Sequence, residues 1–120
     1  MHVLLALAIA VGSWIVVPGG SWQPQASDIA EAKSQLRAYV STQARLEKRT
    51  LAPWNRYTFQ IQGRDVNGRK VIYVNAFCSA PSDNADERIV LAFDGGTCYF
   101  QAYFDVETKA FAGMKFNGLA

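Results

Sequence analysis

Histidine is all but missing from this chain of 120 residues: His2 is the only one, and it sits ahead of an apolar N-terminal run. A Ser-His or Cys-His nucleophile pair needs an imidazole within hydrogen-bond reach, so the chain beyond that run has no residue for such chemistry. Metal-ligand spacing is missing as well, and neither G-x-x-x-x-G-K-[ST] nor G-x-G-x-x-G occurs. Asp83-Asn84-Ala85-Asp86-Glu87 offers oxygen ligands but lacks the glycine and the spaced terminal Glu of an EF-hand loop, so it reads as a solvated loop. No cofactor and no metal are expected, and the chain is read as no enzyme. The carboxylate of Asp94 is the one alternative weighed against that reading, in a turn whose glycines also serve a positive φ.

Charge is scarce and nearly balanced. Twelve Lys and Arg stand against ten Asp and Glu, a net +2, and charged residues make up 18% of the chain. Phosphate binding calls for several cations on one surface, so no nucleic-acid partner is expected. Cysteine is limited to Cys78 and Cys98, enough for one disulfide in an oxidising compartment or for two buried thiols elsewhere.

What is present begins with a long apolar run. Residues 3–17, VLLALAIAVGSWIVV, carry no charge, as the h-region of a secretory signal does. As a helix the run would span roughly 22 Å, short of the ~30 Å hydrocarbon core of a bilayer. Its n-region has no Lys or Arg, which leaves an uncleaved anchor as one alternative; a buried N-terminal helix or strand is the other, disfavoured by the PGGSWQPQ that follows. Gly19, Gly20 and Ser21 offer small residues for cleavage, with the mature chain expected to start between Gly20 and Ser27. Pro/Gly/Gln-rich sequence from Pro18 to Ala26 reads as a linker. The expected organisation is a signal peptide or anchor over 1–20, a linker over 21–26 and a single domain over 27–120.

Asp28 with Glu31 three residues later resembles a capping box and predicts a helix start there. Ile29, Ala32, Leu36, Tyr39, Val40 and Ala44 then recur at three- and four-residue steps on one face. Lys33, Arg37, Arg45 and Lys48 form a basic flank, either a solvated side or a dock for an anionic partner. Pro53 is expected to end the helix. From Arg56 the period becomes 2, and Asn67-Gly68 predicts a tight hairpin into an apolar strand over Val71–Cys78. Further strands are expected at Arg88–Phe93, Cys98–Phe104 and Phe111–Asn117. The fold class is therefore α+β, one N-terminal helix packed on a four- to five-stranded antiparallel sheet.

In a plain meander Cys78 and Cys98 would stand at opposite ends of the sheet, roughly 17 Å apart, and a disulfide allows about 7 Å between Cα atoms. A bond therefore requires residues 79–87 to cross back over the sheet before the Arg88 strand begins. Along the Cys98 strand, Tyr99, Gln101 and Tyr103 share one face and Phe100 and Phe104 the other. With the phenylalanines under the helix, Tyr99, Gln101 and Tyr103 line an uncovered face, joined as candidate binding residues by Trp54, Lys33 and Arg37. The alternative is a set of tyrosines finishing the core edge with their hydroxyls in water.

The segments VIYVNAFCS, DGGTCYFQAYFD and FNGLA resemble short exported bacterial proteins of uncharacterised function, a resemblance that covers the C-terminal half and assigns no activity. The order of helix and then meander is similar to cystatin-like folds, an analogy of architecture only. Together these features lead to the expectation of a small exported, non-catalytic binding or inhibitor-type protein of the bacterial envelope, periplasmic or secreted, with a protein partner. An accessory component of an envelope assembly, held to the membrane by an uncleaved leader, is the alternative.

Overall fold

The computed structural model of the protein describes residues 13–79 and 84–118. The first twelve residues of the signal peptide or anchor expected over 1–20, residues 80–83 of the polar loop and the final Leu119-Ala120 lie outside the described residues.

One helix, α1 (Ala26–Leu46), lies on a sheet of five strands in the order β1-β2-β3-β4-β5. These are β1 (Trp14–Val16), β2 (Thr58–Val66), β3 (Arg69–Phe77), β4 (Tyr99–Asp105) and β5 (Ala110–Phe116). The α+β architecture is as expected from the change of period at Arg56. The sheet is antiparallel apart from β1, which runs parallel to β2 with Trp14 opposite Phe59 and Val16 opposite Ile61. β1 comes from the apolar run read as leader, so the fifth strand is not the one the sequence suggested.

α1 starts at Ala26, two residues before the expected cap. Gln25 occupies the N-cap position with no side-chain bond, and its carbonyl accepts the Ile29 N–H at 3.1 Å. Asp28 instead lies inside the first turn, where a carboxylate complements the helix dipole. The helix also ends earlier than Pro53 would impose. Lys48 takes a left-handed φ of 56°, the Arg49 N–H donates to the Ala44 carbonyl and the Lys48 N–H to that of Arg45. That double closure is a Schellman turn, and it removes Lys48 from the basic helical flank. Ala32, Leu36, Val40 and Ala44 are buried, against Phe59, Ile61, Ile72, Val74, Phe100 and Phe104 of the sheet. At Asn67-Gly68 both residues have positive φ, 52° and 83°, as the tight β2–β3 hairpin demands.

Arg88–Phe93 is not a strand. Because β3 pairs directly with β4 along Val71–Phe77, no gap is left in the sheet for another strand. Residues 84–95 instead cross over the sheet face opposite α1 as an irregular strap. This routing also joins the cysteines. With no strand between β3 and β4, Cys78 and Cys98 flank the Phe77–Tyr99 pair at one end of the sheet and form a disulfide, Cα–Cα 5.0 Å.

Candidate functional site

β2, β3 and β4 alternate residues between two faces. Phe59 and Ile61, Val74 and Ala76, and Phe100 and Phe104 face α1, so Gln60, Asn75 and Gln101 must face the other way. The register sets these amides side by side: Gln60 opposite Asn75, and Asn75 opposite Gln101. Asn117, just past β5, completes the row.

The row is hydrogen-bonded along its length. Asn75 Nδ2 donates to Gln60 Oε1 at 2.9 Å, and Gln101 Nε2 donates to Asn75 Oδ1 and to Asn117 Oδ1, both at 3.3 Å. Its remaining valences hold the strap. Gln60 Nε2 donates to the carbonyls of Ala85 and Arg88 at 2.7 and 2.8 Å, and Gln60 Oε1 accepts the Val90 N–H at 2.8 Å. Asn75 Nδ2 donates to the Val90 carbonyl at 2.8 Å. Asn117 Nδ2 reaches the carbonyls of Ala92 and Asp94 at 2.8 and 3.0 Å. Gln60, Asn75 and Asn117 are buried, and among the described residues no buried side-chain nitrogen or oxygen lacks a partner. A buried amide left unpaired would cost about 1–3 kcal/mol, so sheet and strap each complete the other.

Held from beneath, the strap turns Leu91 and Phe93 outward, and they are 78% and 94% exposed. Between strap and sheet opens a groove of about 320 Å³ lined by Tyr73, Gln101, Tyr103 and Lys115 with Leu91 and Phe93. Tyr103 also borders a second groove of about 380 Å³, which runs past Val66, Val71 and Gly113 to Arg69 and Asp105. The two grooves thus meet at Tyr103. Its ring lies 5.4 Å from that of Tyr73, its cross-strand partner, and the Arg64 guanidinium covers Tyr73 at 3.8 Å. Burial pushes the Tyr73 phenol above its ordinary value, with Arg64 pulling it down and Tyr103 adding to the rise. At the far end Arg69 bonds Asp105, and this hydrogen bond holds the Asp105 carboxyl below the usual range.

The structure divides the residues picked from sequence. Gln101 and Tyr103 stand in the groove as the face alternation implied. Tyr99 shares their face but lies at the disulfide end, its hydroxyl 2.6 Å from Ser79 Oγ. Trp54, Lys33 and Arg37 lie on the α1 side. There Trp54 packs on Phe59 at 5.1 Å, Arg37 covers Trp54 at 5.9 Å and Lys33 covers Trp14 at 5.3 Å. Two of the cations in the basic flank therefore lie over aromatic rings. Asp94 is exposed, and its backbone carbonyl is the group that Asn117 uses. Among the described residues no group of three His, Cys, Asp or Glu could hold a metal ion.

Leu91, Phe93 and the amide row escaped the sequence reading. Arg88–Phe93 has the composition of a strand, which hid its two outward side chains. A signal for the row was nonetheless there: Asn75 is the lone polar residue inside VIYVNAF, and a polar group in a doubly covered strand needs a partner.

No family model, no curated protein and no solved structure matches the chain.

Proposed function

We propose that this chain is an exported, non-catalytic binding protein of the inhibitor type that engages a protein partner through the strap and the groove beside it. The observation that carries this reading is the exposure of Leu91 and Phe93 on a segment tied down by buried amides. An isolated exposed apolar side chain is ordinary, but two on a pinned loop at the mouth of a groove form a patch that a partner can cover. Because the strap is already ordered, association spends little on fixing it, which is how rigid loops gain affinity. The partner that fits is a protein with an apolar recess for Phe93 and hydrogen-bonding groups for Gln101, Tyr103 and Lys115. The Cys78–Cys98 bond agrees with an oxidising compartment, and no helix among the described residues is long and apolar enough to cross a membrane.

The test is saturable capture from envelope extract by the full chain, compared across variants that keep the disulfide and the melting midpoint. Leu91→Ser with Phe93→Ser is expected to lower capture at least tenfold, and Tyr103→Ala to weaken it. Arg37→Glu, on the opposite face, is expected to leave it unchanged. Capture insensitive to the strap pair, or lost with Arg37→Glu, overturns the reading.

A further inference from the structure

Gly63 lies in the middle of β2, buried on the α1 side, where glycine weakens a strand and packs nothing. Its purpose is visible one layer out. A Cβ at Gly63 would lie 2.2 Å from the Trp22 carbonyl oxygen, and one at Gly20 would lie 2.4 Å from the Gly63 oxygen. The two glycines permit a backbone approach in which Trp22 bridges to Gly63 and the Ser21 N–H donates to the Gly63 carbonyl at 2.8 Å. The domain thus carries a residue whose identity is explained only by chain on the amino side of α1.

Other groups of the domain are spent on the same segment. The buried Gln62 donates through Nε2 to the Pro18 carbonyl at 2.7 Å, and the Trp22 indole donates to the Arg64 carbonyl at 3.0 Å. Val17 is buried, its N–H on the Ile61 carbonyl, and the Trp14 ring stacks on Phe59 at 4.5 Å. The pairing reaches the first described residue, for the Phe59 N–H donates to the Ser13 carbonyl at 2.7 Å. Cleavage between Gly20 and Ser27 would strip away Trp14 and Pro18, leaving Phe59 and Gln62 without these partners. Directly upstream, Ala10-Val11-Gly12 places small residues at the −3 and −1 positions of a cut before Ser13, behind the charge-free Val3–Ile9. That is the A-x-A-like arrangement a signal peptidase reads.

We infer that the leader is removed at the Gly12–Ser13 bond and that residues 13–25 remain as a structural part of the mature domain. The step is hydrolysis: water adds across the peptide bond, leaving a carboxylate on Gly12 and a free α-amine on Ser13. The inference rests on the export proposed above, and the two fail differently.

Intact-mass measurement on the full chain, expressed with a C-terminal tag in a bacterial host and recovered separately from envelope, medium and cytoplasm, tests both. The expected product outside the cytoplasm begins at Ser13, and Gly12→Arg is expected to leave at least nine-tenths of the exported chain uncut. An exported product beginning anywhere from Gly20 to Ser27, or an uncut chain in the envelope, overturns the inference while export stands. Uncut chain confined to the cytoplasm overturns export and the inference with it. Gly63→Val gives an independent reading: limited proteolysis is expected to cut within residues 13–25 at least tenfold faster than in the parent chain. An unchanged rate in a folded Gly63→Val protein overturns the structural role of the segment.

Discussion

The two faces of the sheet are both covered, but by opposite means. On one side α1 satisfies its own backbone, so it can rest Leu36 and Val40 on Phe59, Phe100 and Phe104 with no polar partner below. On the other side the strap has no ladder of its own, and its carbonyls and the Val90 N–H would be stranded on an apolar surface. The sheet meets that need with the row Gln60, Asn75, Gln101 and Asn117. A regular element can therefore be held by apolar area, whereas an irregular one laid flat on a sheet must be held by side-chain amides.

The largest effect is expected from breaking the helix face. Phe100→Ala should cost about 3–5 kcal/mol, read as a fall in the urea midpoint, with the strap lost together with everything else. Replacing both cysteines with serine acts on the strap, whose loop the bond closes at one end of the sheet. The bond closes a loop with a sequence separation of 20, and its loss should cost about 3 kcal/mol by the chain-entropy argument. Equal midpoints for the oxidised and double-serine proteins would show that the amide row alone suffices. Gln60→Leu should cost about 2 kcal/mol, because Ala85, Arg88, Val90 and Asn75 each lose a partner. Hydrogen exchange at Val90 should accelerate in this variant while β3 amides such as Val74 keep their protection. Uniform acceleration would mean that the two faces open as one unit.

A smaller effect depends on pH. The Asp105 carboxyl is held down chiefly by its hydrogen bond from Arg69, helped by the backbone N–H groups of Thr108 and Glu107 and opposed by burial. Because its folded value lies below the unfolded one, its contribution is complete above about pH 4 and disappears as the pH falls through the folded value. The gap in urea midpoint between the parent chain and Asp105→Asn should accordingly be present at neutral pH and close in acid. A gap that persists at low pH would assign the difference to packing. Phe93→Ser should change stability least, within about 0.5 kcal/mol, while it reduces partner capture.

Much of the helix face was legible in the sequence because a buried face leaves a period. Ala32, Leu36, Val40 and Ala44 recur at four residues, and Phe59 and Ile61, like Phe100, Ala102 and Phe104, at two, and each pattern names the side that is covered. The strap face leaves no such trace. Ile89-Val90-Leu91 reads as a strand by composition, and only the direct pairing of β3 with β4 shows that no strand position is free for it. The ends of α1 were misplaced for a related reason. Asp28 fits a cap by its residue type, but the helix begins where Gln25 accepts the Ile29 N–H and stops where Lys48 turns left-handed.

The sequence by itself determined the class of the fold, the β2–β3 hairpin at Asn67-Gly68 and the assignment of Gln101 and Tyr103 to the face away from the helix. These follow from periods and turn chemistry that operate within a few residues. Only the tertiary structure decided that Trp14–Val16 joins the sheet, that Cys78 meets Cys98, and that four separated amides line up beneath one strap. Each of these depends on which strands are neighbours, a choice made by distant partners competing for the same edge.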